Sequence, residues 1–221
     1  MNDLQKAILK TLAYADVFDY PLTLKETQLF LIASSEKNYS LEEIKKEIDK
    51  PELHPLIDSQ KNYFFLKNRE KIVSFRQKKS FYSSQKLDLA AKTADWLKLI
   101  PFIKMVGITG NLAMGNADKN DDIDLLIITG KKRLWLTRLL TIFLTELVAK
   151  RRRPGDKEVK DKICLNMFLD EEHLALSKKE QNLFTAHEVC QLKILWQKDN
   201  IHQKFLKENQ WCKNFLPNWK A

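Results

Sequence analysis

Two apolar runs, residues 102–109 and 123–129, lie on either side of a turn, and three of the chain's five glycines, Gly107, Gly110 and Gly115, fall within nine residues there. Short runs rich in Ile, Val and Leu, bounded by Gly, Asn and Asp, read as buried strands. The segment is therefore expected to form a strand, a tight glycine turn, the start of a short helix, and a second strand that opens on Asp122-Ile123-Asp124. Side chains alternate along a strand with a period of two. Asp122 and Asp124 then project from one face, while Ile123 and Leu125 enter a core on the other.

Two neighbouring carboxylates repel each other, and a divalent cation between them relieves the repulsion. Mg²⁺ favours hard oxygen ligands and is commonly held by one or two carboxylates together with substrate phosphates. The turn before the acid pair suits the same chemistry. Gly110 and Gly115 allow tight backbone, and Asn111 begins a helix whose free N–H groups and dipole favour an anion. One element to hold phosphate beside one to hold a metal is equipment for phosphoryl or nucleotidyl transfer. The plainer alternative is a Gly-Asn turn with an Asp-rich loop, since these are turn residues. The glycine turn and the apolar strand on either side favour the chemical reading.

Gly110-Asn111, Gly115 and Asp122-Ile123-Asp124 resemble the signature of the DNA polymerase beta-like nucleotidyltransferase superfamily: a Gly-Ser or Gly-Gly turn, a spacer, and Asp-x-Asp on the next strand. Asn111 stands where the family usually has Ser, and its amide can still donate to a phosphate. The resemblance implies a Mg²⁺-dependent enzyme, with a two-metal site possible, in which an acceptor hydroxyl attacks the α-phosphate of a nucleoside triphosphate such as ATP. It makes Asp122 and Asp124 the catalytic and metal-binding residues, and Gly110, Asn111 and Gly115 the phosphate-binding ones. The family carries a third carboxylate on a following strand, here residues 162–169. Cys164, Asn166 and Phe168 share a face of that strand, and Asn166 takes the position nearest the expected acid, as a third metal ligand. Asp161 and Asp170, at the two ends of the strand, are substitutes. The acceptor is left open among RNA, protein and small molecules. A catalytically degenerate nucleotide- or nucleic-acid-binding protein, with Asn166 marking the loss, is the alternative.

The rest of the chain supplies the frame. Apolar spacing predicts a helix over 3–15, and Thr23 with Glu26 and Ser40 with Glu43 form capping boxes that open two more. Two short β-like runs follow, near 56–57 and 63–66. Three helices and a hairpin predict a winged helix-turn-helix-like domain over 1–68. Its third helix reads Leu-Glu-Glu-Ile-Lys-Lys-Glu-Ile, too acidic to approach phosphates well. DNA binding or transcriptional regulation is therefore possible but less favoured than packing against the neighbouring domain or a protein partner. A connecting helix over 69–100 carries Arg69, Lys71, Arg76, Lys78, Lys79 and Lys86, read as a solvated face or a contact for RNA. The α+β core, a nucleotidyltransferase-like mixed sheet flanked by helices, spans 101–176. A helix over 131–150, apolar on most sides, is expected to be largely buried. It leads into Arg151-Arg152-Arg153, read as capping charge or as a clamp for triphosphate. A C-terminal helical extension over 177–221 begins with a capping box of Ser177 and Glu180.

Composition narrows the partners. A net charge of +9 with a pI near 9.3 suits a nucleotide or nucleic acid. Three widely spaced cysteines and no secretory signal are expected of a reduced, cytoplasmic protein without a membrane partner. His187 and Cys190, three residues apart, are read as packed side chains rather than metal ligands.

Overall fold

A computed structural model describes residues 1–33 and 37–219. Lys220 and Ala221, the end of the expected C-terminal extension, lie outside the described residues, as do 34–36 within the expected N-terminal domain. The chain is α+β: among the described residues there are eight α-helices, a mixed four-stranded sheet and a small three-stranded antiparallel sheet. It divides into two units that interleave in sequence. One comprises residues 1–78, 179–187 and 210–221, the other 79–178 and 188–209.

In the first unit, α1 (Asp3–Asp16), α2 (Leu24–Leu29) and α3 (Leu41–Ile48) each begin with a reciprocal capping box, from Asn2 and Gln5, Thr23 and Glu26, and Ser40 and Glu43. The short strand β1 (Leu22–Thr23) pairs with β3 (Tyr63–Leu66), which pairs in turn with β2 (Ile57–Gln60). The hairpin turns at Lys61 and Asn62, both with positive φ. Ile8, Leu12, Leu31, Ile44 and Phe65 are among this unit's largest fully buried side chains. Helix α4 (Lys71–Leu97) begins here with Ile72 and Val73 packed on Phe65.

The basic residues expected on a solvated face of that helix are partly structural. Arg76 donates to both oxygens of Glu26, at 2.9 and 2.7 Å, and to the carbonyl of Pro21. Its guanidinium lies 4.1 Å from the ring centre of Tyr20 and 4.6 Å from that of Tyr63. Burial alone would raise the Glu26 carboxyl, but the Arg76 hydrogen bonds and charge hold it below the usual range. Arg69 likewise binds Asp16 and Asp19. These cations close the first unit on itself.

The second unit is built on the sheet β6-β5-β4-β7, with β4 (Ile103–Ile108), β5 (Ile123–Thr129), β6 (Ile163–Asp170) and β7 (Lys193–Gln197). β5 runs antiparallel to β4 and parallel to β6, and β7 is antiparallel to β4. Ile103, Val106 and Ile108 of β4 and Ile123, Leu125 and Ile127 of β5 form one core with Ala90, Ala94 and Leu97 of α4. Val106 adjoins the register shift between β4 and β7. The single turn α5 (Gly110–Ala113) connects β4 to β5, α6 (Leu134–Val148) connects β5 to β6, and α8 (Ile201–Glu208) follows β7. Helix α7 (Leu183–Gln191) starts five residues later than the Ser177–Glu180 box predicts. Asn182 and Thr185 cap it instead, each backbone N–H donating to the other's side chain. Strand β7 departs from the expected all-helical extension over 177–221: Lys193–Gln197 joins the main sheet beside β4.

Helix α6 departs most from expectation. It is not largely buried. Thr137, Thr141 and Thr145 form its fully buried side, with Leu140 and Leu144 partly buried against the core, while Trp135, Leu139, Phe143 and Leu147 are exposed. Among the described residues no helix is long and apolar enough to cross a membrane.

Candidate metal and phosphate site

Asp124 is the second residue of β5, and Asp122 lies just before the strand. Ile123 and Leu125 enter the core, so the pleat turns both carboxylates to the opposite face. A carboxylate oxygen of each and the Sγ of Cys164 all lie within 4.8 Å of one another. Cys164 arrives from β6, directly opposite Asp124 in the parallel register. A register shift follows at once, between Asp124 and Leu126, and Leu126 pairs with Met167. Asn166, two residues beyond Cys164 along β6, directs its amide towards the hydroxyl of Thr109, at 3.5 Å.

The two acidic substitutes lie elsewhere. Asp161 is the counter-ion of Lys86, at 2.6 Å. Lys86, counted from sequence on a basic face, is 1 % exposed. Its ammonium also donates to the carbonyls of Asp121 (2.7 Å) and Lys119 (3.2 Å). A buried lysine thus ties down the loop that leads into the acid pair. Asp170 pairs with Thr129 at the other end of the strands, and its oxygens accept from the N–H groups of Lys132 and Glu172.

Gly110 has φ +67° and Gly115 φ +69°, left-handed conformations that glycine adopts without strain. At Gly110 the space is also limited: an added Cβ would sit 3.2 Å from Oδ2 of Asp124, whereas nothing lies within 4 Å at Gly115. The backbone turn therefore packs directly on the second aspartate. The N–H of Gly110 donates to Oε2 of Glu188 at 3.2 Å. Asn111 reaches Oδ2 of Asp121, at 3.5 Å. Because α5 is one turn long, any anion affinity here rests on individual N–H groups rather than on a long helix dipole.

Glu188 was not singled out from the sequence, where a glutamate in a helix reads as solvated. Burial raises its carboxyl above the ordinary range; the Gly110 N–H opposes that, and the charge of Asp124 adds to it. Asp124 is raised as well, first by burial and then by Asp122 and Asp121, against the opposing Cys164 hydrogen bond and Arg152. Burial and the hydrogen bond to Asp124 push the Cys164 thiol up to about 12, so it stays protonated near neutral pH and donates to the carboxylate. Negative charge is thus concentrated in a poorly hydrated place.

Arg152 supplies the nearest positive charge, with Nη1 2.6 Å from Oδ2 of Asp122. It belongs to a basic cleft of about 360 Å³ whose lining includes Arg138, Arg151, Arg152 and Arg153 and, beside the acids, Cys164. Arg151 and Arg153 both bind Glu146. The arginine run is therefore neither purely a helix cap nor a loose charge cluster: it adjoins the acid pair. His187 lies outside this constellation. Its ring stacks on Tyr14 at 4.3 Å, in keeping with the packed role expected of it. No protein-family model matches the chain, and no curated protein matches it.

Proposed function

We propose that the protein is a Mg²⁺-dependent nucleotidyltransferase of the polymerase beta-like kind, moving a nucleoside monophosphate from a triphosphate to an acceptor hydroxyl. The observation that carries this reading is the convergence of Asp122 and Asp124 at the start of the central strand β5, against the Gly110 turn and beside an arginine-lined cleft. The donor set fits the metal: Asp122 and Asp124 offer hard carboxylate oxygens. Asp122 and Asp124 would hold Mg²⁺, which when bound supplies charge neutralisation to the triphosphate and lowers the barrier to in-line attack. Arg152 then leaves Asp122 and turns to the phosphates, with Arg138 as its neighbour in the cleft. The N–H of Gly110 exchanges the Glu188 carboxylate for a phosphate oxygen. Asn111 adds an amide donor, and the turn at Gly115 keeps the loop clear. Asn166, through Thr109, steadies the start of that turn. In this reading the first unit is a winged-helix-like module for which the acidic composition of α3, with Glu42, Glu43 and Glu47, favours a protein partner over DNA.

A second reading is favoured by one feature. Cys164, a protonated thiol, stands opposite Asp124 where a third acid would complete a two-metal site. A protein that binds nucleotide without turning it over would carry such a replacement.

The test is thermal stability with each nucleoside triphosphate, with and without Mg²⁺, for wild type and the Asp122→Ala/Asp124→Ala variant. A ligand specific to the folded state stabilises it by roughly 2.7 kcal/mol at 100 times its dissociation constant. A Mg²⁺-dependent shift that is lost in the double variant supports the site. No shift with any triphosphate refutes it. Pyrophosphate release then separates transfer from binding alone.

A further inference from the structure

Helix α6 is inverted. Its buried side is made of Thr137, Thr141 and Thr145, each 0 % exposed, while Trp135, Leu139, Phe143 and Leu147 stand 77, 64, 63 and 67 % exposed on the outside. The four recur at helical spacing, so they form a continuous stripe. A contiguous apolar surface of this kind marks an interaction face. Beyond Leu147 it runs into a cleft walled by Leu89 and Trp96 of α4, both also exposed. With whole aromatic side chains offering about 150–250 Å² each, the stripe and cleft present roughly 800 Å², what one partner buries in a standard interface.

We propose that this face pairs with the same face of a second copy of the chain, the two α6 helices lying antiparallel about a two-fold axis at the level of Thr141. The stripe has the symmetry that such pairing needs. Trp135 and Leu147 are equidistant from Thr141 along the sequence, and so are Leu139 and Phe143. An antiparallel neighbour therefore sets Trp135 on Leu147 and Leu139 on Phe143, twice over, as an isologous interface requires. The rim agrees. Lys131 is paired with Glu172 at 2.6 Å, and Arg151 and Arg153 with Glu146 at 2.8 and 3.0 Å. Lys131, Arg151 and Arg153 thus have acidic partners within the chain, which lessens both their repulsion of a second copy and their attraction to an anionic lipid surface.

Sedimentation velocity of the full chain from about 1 to about 100 µM, a range that reaches weak specific dimers, tests the pairing. The expected result is a reversible dimer that Leu139→Glu or Phe143→Glu weakens at least about tenfold, with the melting temperature of the dilute protein unchanged. The register is tested by mixing Leu139→Cys protein with Phe143→Cys protein and adding a short bismaleimide. Peptide mapping should find position 139 joined to position 143, in preference to 139–139 or 143–143 links. A monomer throughout the range overturns the proposal, as does a dimer indifferent to both glutamates. Co-sedimentation of wild type with vesicles of phosphatidylserine and phosphatidylcholine, abolished by Leu139→Glu, would assign the face to lipid instead and also overturns it.

Discussion

Arg152 reaches across the edge of the sheet to Asp122, with 2.6 Å between Nη1 and Oδ2. The guanidinium occupies one lobe of the carboxylate that a divalent cation would use. Cation binding in the absence of nucleotide must therefore break this ion pair.

Arg152→Met should tighten Mn²⁺ binding to the nucleotide-free protein by roughly two- to fivefold, because a partly exposed ion pair is worth up to about 1 kcal/mol. The same change should weaken binding of a Mg²⁺-triphosphate, which loses a phosphate contact. Isothermal titration of both ligands measures the two signs. A parallel loss of both would show that Arg152 does not compete with the cation.

Lys86→Met should destabilise the second unit by roughly 2–4 kcal/mol, since it takes away the buried ammonium that partners Asp161 and the carbonyls of Lys119 and Asp121. Urea unfolding gives the magnitude. The double variant Lys86→Met/Asp161→Asn should recover part of it, because the two residues share one interaction. A loss below about 0.5 kcal/mol would place Lys86 among ordinary surface residues.

Gly110 and Gly115 form a matched pair of probes. Both have left-handed backbone, so alanine at either costs about 1–2 kcal/mol. Only at Gly110 does the new methyl meet Asp124. Gly110→Ala should therefore abolish the Mg²⁺-dependent nucleotide shift, and Gly115→Ala should retain it. Equal losses in both would remove the special role of the Gly110 contact.

Burial pushes His187 down to about 4, below its ordinary value of 6.5. Between those values the unfolded chain binds a proton that the folded chain does not. Stability therefore rises with pH across this window and falls on acidification from pH 6.5 towards 4. At about 1.4 kcal/mol per unit the loss approaches roughly 3 kcal/mol. His187→Phe, which keeps a ring on Tyr14, should flatten this part of the stability–pH curve. An unchanged slope would assign the acid sensitivity to other groups.

Local chemistry was easier to read in the sequence than long-range placement. The capping boxes at Thr23 and Ser40 are visible because a cap is settled within four residues. The β4–β5 pair and the shared face of Asp122 and Asp124 follow from alternation alone. Strand β7 was missed because Ile194, Leu195 and Trp196 come directly after a helix without a turn signal. The side-chain set around Asp124 could not be read because it depends on the β5–β6 pairing register, a property of two strands together. Glu188 was missed for a related reason: what makes it unusual is its burial beside Asp124 and Gly110, and nothing in its neighbourhood along the chain reports that. Helix α6 looked like core because composition records how many apolar residues a helix has, not which side they occupy.

Asn218 donates to the carbonyls of Gln28 and Tyr39 and accepts from the N–H of Tyr39, 179 residues away in sequence. The first unit therefore takes its last strut from the final stretch of the chain. During synthesis, α1 to α3 leave the ribosome long before that strut exists, while the whole of residues 79–209 is made in between. Residues 1–78 thus emerge before residues 79–209 and are completed after them. A stalled or clipped product lacking residues 210–221 would present an incomplete N-terminal unit to proteases and chaperones, even with every residue of that unit's first 78 in place.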